Sequence, residues 1–139
     1  MASSLPRLDG PEGEDELALQ RSGATPLGRL VTRSSVWRLG ERFFVIMHDG
    51  FSGEDLAMGM REVYAHADPP EEIAFVEAED IHRFDRSILT YYERDRRTMP
   101  GKVSVVARRP LTRVVVRATS LGFRAITGVS LALYDSLPV

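Results

Sequence analysis

Four short apolar runs, separated by stretches of helical pattern, constrain this chain more than any other feature. They are Phe43–Met47, Ile73–Ala78, Val103–Ala107 and Val129–Tyr134. The first is apolar throughout, which reads as a strand buried on both faces. Just before it, Val36, Trp37 and Leu39 are followed by Gly40-Glu41, so the two β-prone runs predict a hairpin around a glycine turn. Strands that then alternate with helices predict a largely parallel sheet with helical cover. The expected order is ββαβαβαβ: an α/β domain with a mixed, mostly parallel sheet of about five strands, an N-terminal hairpin and about three helices.

The helices announce themselves at their ends. Ser52 with Asp55 three positions on resembles a capping box, and Glu54 and Asp55 place negative charge in the first turn. Leu56, Met60, Val63 and Tyr64 follow at helical spacing, and Pro69-Pro70 stops the helix near His66. Asp85 is placed to cap a second helix with Ile88, Leu89 and Tyr92 on its apolar face, ended by Pro100-Gly101. Pro110 opens a third, an accepted position for proline. Its expected buried stripe is Leu111, Val114, Val115, Ala118 and Leu121.

The 139 residues allow one domain. Residues 1–33 read as a flexible N-terminal tail and 34–139 as the folded domain. The tail carries Pro6, Pro11 and Pro26 and the acidic group Glu12, Glu14, Asp15 and Glu16, and it holds no aromatic residue. Such a segment buries too little apolar surface to offset its ordering entropy, beyond a transient turn at Asp15–Gln20. The net charge of −2 argues against nucleic acid as the main partner. No apolar run reaches bilayer length, so no membrane span is expected. The start MASSLPRLDGPEGEDE lacks a signal pattern, and the chain has no cysteine. A cytoplasmic location suits both.

Catalytic and metal motifs find little support. Glu77, Glu79, Asp80, His82 and Asp85, with His48, gather acid and imidazole ligands, but no HExxH or EF-hand spacing joins them. They read as solvated strand ends, and no metal or cofactor is expected. No G-x-S-x-G elbow supports a hydrolase triad, and Gly50 and Gly53 do not make a phosphate loop. The expectation is a protein that is not an enzyme. The tyrosine pair Tyr91-Tyr92 would place one ring in the core and leave one as an interface anchor.

The stretch AFVEAEDIHRFDRSIL, Ala74–Leu89, resembles the central segment of STAS domains, the anti-sigma-factor antagonists. In that family a buried strand leads through an acidic turn into an Asp-Ser-Ser-Gly-Leu-like helix start. Asp85, Ser87 and Leu89 match that start by type, while Arg86 replaces its first serine and Ile88 departs from its small residue. Phe44–Phe51, Lys102–Ala107 and Pro110–Ala118 match the family's element order, so the resemblance spans roughly 35–137. It implies a regulatory module that docks an anti-sigma kinase-like or other signalling protein. Ser87 would be its phosphoacceptor, and Asp49, Asp85, Arg86, Ser87, Thr90 and Tyr91 its partner-binding residues. A phosphate in a helix's first turn is favoured by free amides, and its charge repels a docked partner. The family continues beyond a segment like Leu133–Pro138 with a last helix, which this domain is expected to lack. Two further readings stay open: a small-molecule or lipid-binding STAS/SEC14-like domain, and a self-associating scaffold, with a homodimer as one form.

Overall fold

The computed structural model describes residues 5–79 and 100–138 of the chain. Its elements are α1 (Glu14–Arg21), β1 (Thr25–Arg29), β2 (Ser35–Leu39), β3 (Arg42–Met47), α2 (Gly53–His66), β4 (Glu72–Glu77), β5 (Lys102–Val106), α3 (Pro110–Thr127) and β6 (Leu131–Tyr134). The six strands form one sheet in sequence order, β1-β2-β3-β4-β5-β6. The first three pair antiparallel and the rest parallel. The α/β class, the mixed sheet and the N-terminal hairpin are thus as the sequence predicts, with one strand more than expected.

Each local signal has its physical counterpart. Gly40 turns the β2–β3 hairpin at φ 65°, a left-handed conformation that suits a residue without Cβ. Ser52 and Asp55 form a reciprocal capping box at the start of α2. Asp55 does more than cap: its second oxygen accepts the Thr32 amide at 3.1 Å, tying the helix start to the β1–β2 loop.

The sheet separates two cores by the alternation of its side chains. Phe43, Val45, Met47, Ile73, Phe75 and Val103 face Leu56, Met60 and Val63 of α2 and Phe123 of α3. Trp37, Phe44, Ile46, Ala74, Val76 and Val106 face the other way and meet Leu19 of α1. The parallel strands all step in one direction, so right-handed connections fall on one face. Both described connecting helices lie on that face, and α1 helps to cover the other.

Here the structure departs from expectation. Residues 14–29, read from the sequence as part of a flexible tail, hold α1 and β1. The segment is anchored by Leu19, Ala24 and Leu27, which are buried, and by Glu16, whose fully buried carboxylate is served by groups far along the chain. The inward face of α3 also differs. Thr112, Val116 and Phe123 are buried, whereas Leu111, Val114 and Leu121 of the expected core stripe are 69%, 61% and 78% exposed. Among the described residues, no helix is long and apolar enough to cross a membrane.

Candidate functional site

Loops positioned by a rigid sheet are where binding residues concentrate, and the parallel strands release such loops at their carboxyl ends. In this chain β3 and β4 end in register, Met47 beside Glu77, and release His48-Asp49 and Ala78-Glu79 at the same edge. A cleft of about 250 Å³ opens there, lined by Glu12, Gly13, Glu14, Asp15, Arg33, His48, Ala78 and Glu79.

Its floor is a buried charge network. Arg29 grips Glu16 with two hydrogen bonds, of 2.7 and 2.9 Å. The Ser35 hydroxyl donates to the same carboxylate at 2.7 Å and accepts the Trp37 indole N–H at 2.9 Å. The Glu12 amide donates to it at 2.9 Å. Burial pushes the Glu16 carboxyl up, but the nearby His48 ring and hydrogen bonds from Arg29, the Glu12 amide and Ser35 outweigh it and hold the group at about 2.

His48 stands between two carboxylates. Its Nε2 lies 3.5 Å from Glu16 and its Nδ1 3.6 Å from Glu79, with the side chain only 6% exposed. These separations exceed good hydrogen-bond lengths, so the contacts become ion pairs when the ring is protonated. The Glu16 carboxylate raises the imidazole above its ordinary value against the opposing effect of burial, and the charge of Glu79 adds to the rise. The His48 backbone is fixed by its amide donating to Ser34 Oγ at 3.0 Å.

The rim is set by Glu79 and by the exit from β5. The Asp49 amide donates to Glu79 Oε1 at 2.7 Å, and exposed Arg33 pairs with the same carboxylate at 3.0 Å. Beyond β5, Arg108 reaches Asp15 of α1 at 2.8 and 3.1 Å and the Glu77 carbonyl at 3.2 Å. Glu77 is buried and serves the start of α3. It accepts the Thr112 hydroxyl at 2.6 Å and the Arg109 amide at 3.3 Å, supplying the negative charge that a helix N-terminus favours.

Of the residues proposed from the sequence, Asp49 is placed at this edge and is exposed. Asp85, Arg86, Ser87, Thr90 and Tyr91 lie outside the described residues, as do Asp80 and His82 of the acidic group. Within that group, Glu77 turns to α3 while Glu79 and His48 meet each other. Among the described residues no set of three or more histidine and acidic side chains could hold a metal ion. The sequence reading missed Glu16, Arg29, Ser35 and Arg108. The carboxylate contacts that join them, Glu16 to Arg29 and Ser35 and Asp15 to Arg108, span 13 to 93 residues of chain, so no local motif marks them.

Chemically, the floor is internally neutralised and the rim is acidic. Glu12 and Glu14 are exposed beside Glu79, with Arg33 as the cation among the cleft's lining side chains apart from His48. Such a surface fits basic side chains presented by another molecule. Comparison with known protein families, curated proteins and solved structures finds no match to this chain.

Proposed function

We propose that the chain is a non-catalytic regulatory module, of the kind the STAS resemblance implies, that docks a protein partner at the carboxyl edge of β3 and β4. The carrying observation is the 2.7 Å bond from the Asp49 amide to Glu79. It fastens the loop leaving β3 to the chain leaving β4, immediately before the segment that contains Asp85, Arg86, Ser87, Thr90 and Tyr91. Loops held by a rigid scaffold are where binding residues concentrate. The acidic rim of Glu12, Glu14 and Glu79 favours a partner with a basic docking segment. Phosphorylation of Ser87 would add negative charge to the segment that follows Glu79 in the chain and change which partner charges it accepts. The module works in the cytoplasm, a setting that its cysteine-free sequence suits.

The test is affinity capture from the native cytosol with the tagged full chain, repeated with Ser87→Asp, Arg86→Glu and Glu79→Lys. The reading expects one reproducible partner whose recovery falls at least tenfold with Glu79→Lys and changes at least tenfold with Ser87→Asp or Arg86→Glu. Undiminished recovery by all three, with folding confirmed by circular dichroism, removes this edge as the docking surface.

A further inference from the structure

Helix α3 carries a second apolar stripe, facing away from the core. Its buried side is Thr112, Val116 and Phe123. On the roughly opposite side, Leu111, Val114, Ala118, Leu121 and Ala125 are all exposed. Their spacings alternate between three and four residues, the a/d repeat by which one helix seats another. From Leu111 to Ala125 the stripe runs about 21 Å along α3. Among the described residues, no hydrophobic core cluster includes these side chains.

The charges beside the stripe decide its occupant. Arg117 and Arg124 are exposed, seven residues apart, and line the same flank in the g position. The opposite flank, position e, holds Val115 and Gly122, and α3 contains no acidic residue. A second copy in antiparallel pairing would set g against g, arginine against arginine. In parallel pairing it would set arginine against valine and glycine, with no countercharge. A lipid surface would gain little from Ala118 at the centre of the stripe and Ala125 at its end, and no aromatic anchor stands there. The small Ala118 instead leaves room between Val114 and Leu121 for another helix's side chains, and Ala125 does so beyond Leu121.

We infer that the outer face of α3 docks an amphipathic helix of a partner protein, with leucine-type side chains on the seam and carboxylates along the flank that meets Arg117 and Arg124. This surface is separate from the acidic cleft and does not depend on the function proposed for that edge.

The probe is a labelled peptide of about three heptads with leucine at a and d and glutamate at e and g, compared with the same peptide carrying lysine at e and g. Fluorescence anisotropy should show saturable one-to-one binding of the glutamate peptide to the full chain, at least tenfold tighter than the lysine peptide and weakened by added salt. Leu121→Glu should weaken it at least tenfold, with the circular dichroism spectrum unchanged. The double variant Arg117→Glu, Arg124→Glu should reverse the preference to the lysine peptide. Equal affinity for both peptides, no saturable binding, or indifference to both variants overturns the inference. So does a Leu121-dependent dimer in sedimentation, which makes a second copy the occupant. Leu121-dependent binding to vesicles of mixed phosphatidylglycerol and phosphatidylcholine overturns it in favour of a membrane.

Discussion

Arg29 holds Glu16 through both of its terminal nitrogens, at 2.7 and 2.9 Å, and so ties α1 to β1 across 13 residues of chain. The same Arg29 head reaches the Gly10 and Arg33 carbonyls at 2.7 and 2.8 Å. One guanidinium thus gathers the N-terminal segment, the first helix and the β1–β2 loop. That is how a stretch poor in large apolar side chains becomes part of the fold.

Removing Glu16 strands several buried donors at once. Glu16→Ala leaves the Arg29 charge, the Ser35 hydroxyl and the His48 ring without their common acceptor. The expected loss is about 3–5 kcal/mol of unfolding free energy, the usual cost of breaking a buried pair from one side. Urea denaturation measures it, and a loss below about 1 kcal/mol would show that α1 is not anchored as described.

The His48 contacts predict a stability profile with two limbs. The imidazole is raised above 6.5 in the folded chain, so its contribution is complete below that pH and is lost as pH rises through the folded value. Glu16 is lowered from 4.5 to about 2, so its contribution is present above about pH 4.5 and is lost as pH falls toward 2. Both are complete between roughly pH 4.5 and 6.5. Chemical denaturation across pH 3 to 9 should place maximal stability in that window, and His48→Gln should flatten the alkaline limb. Wild-type stability that keeps rising above pH 7 contradicts the pairing.

At the start of α2, Ser52 and Asp55 differ in what they hold. Ser52→Ala removes one side-chain cap and should cost about 1 kcal/mol. Asp55 accepts the Ser52 amide and hydroxyl, each at 3.0 Å, and the Thr32 amide at 3.1 Å, and it is fully buried. Asp55→Ala should therefore cost about 2 kcal/mol or more, because it also orphans donors that are wholly or partly buried. Equal losses for the two variants in urea denaturation would mean that the Thr32 contact contributes nothing.

The two sides of α3 give opposite expectations for substitution. Phe123 is 1% exposed and lies in the larger core, so Phe123→Ala should cost about 3–5 kcal/mol. Leu121, 78% exposed, should tolerate Leu121→Glu within about 0.5 kcal/mol. Thermal or urea unfolding of both variants decides which side faces inward. A large loss at Leu121 would restore the orientation expected from the sequence.

That reversal shows where the sequence stops being informative. The strand cores at Phe43–Met47, Ile73–Ala78 and Val103–Ala107 were legible because full burial leaves a continuous apolar run. The start of α2 was legible because its cap lies within four residues of chain. Helix α3 has apolar residues on two sides, and periodicity favoured the fuller stripe of leucine, valine and alanine. The core instead takes Val116 and Phe123, with threonines around them. The α1–β1 segment was illegible for another reason. Its anchor is a polar network whose members, from Glu16 to His48 and from Asp15 to Arg108, meet only once the sheet exists. Of the proposed docking residues, Asp49 is the one within the described residues, and its place at the carboxyl end of β3 was legible because it lies just beyond a strand whose end was well marked.

Hydrogen-exchange mass spectrometry on the full chain, alone and bound to the partner recovered by capture, tests the docking edge most directly. Residues 48–52 and 79–91 should exchange more slowly in the complex, while the opposite end of the sheet, around Arg42, Glu72 and Lys102, should not change. Slowing confined to that opposite end would contradict the account.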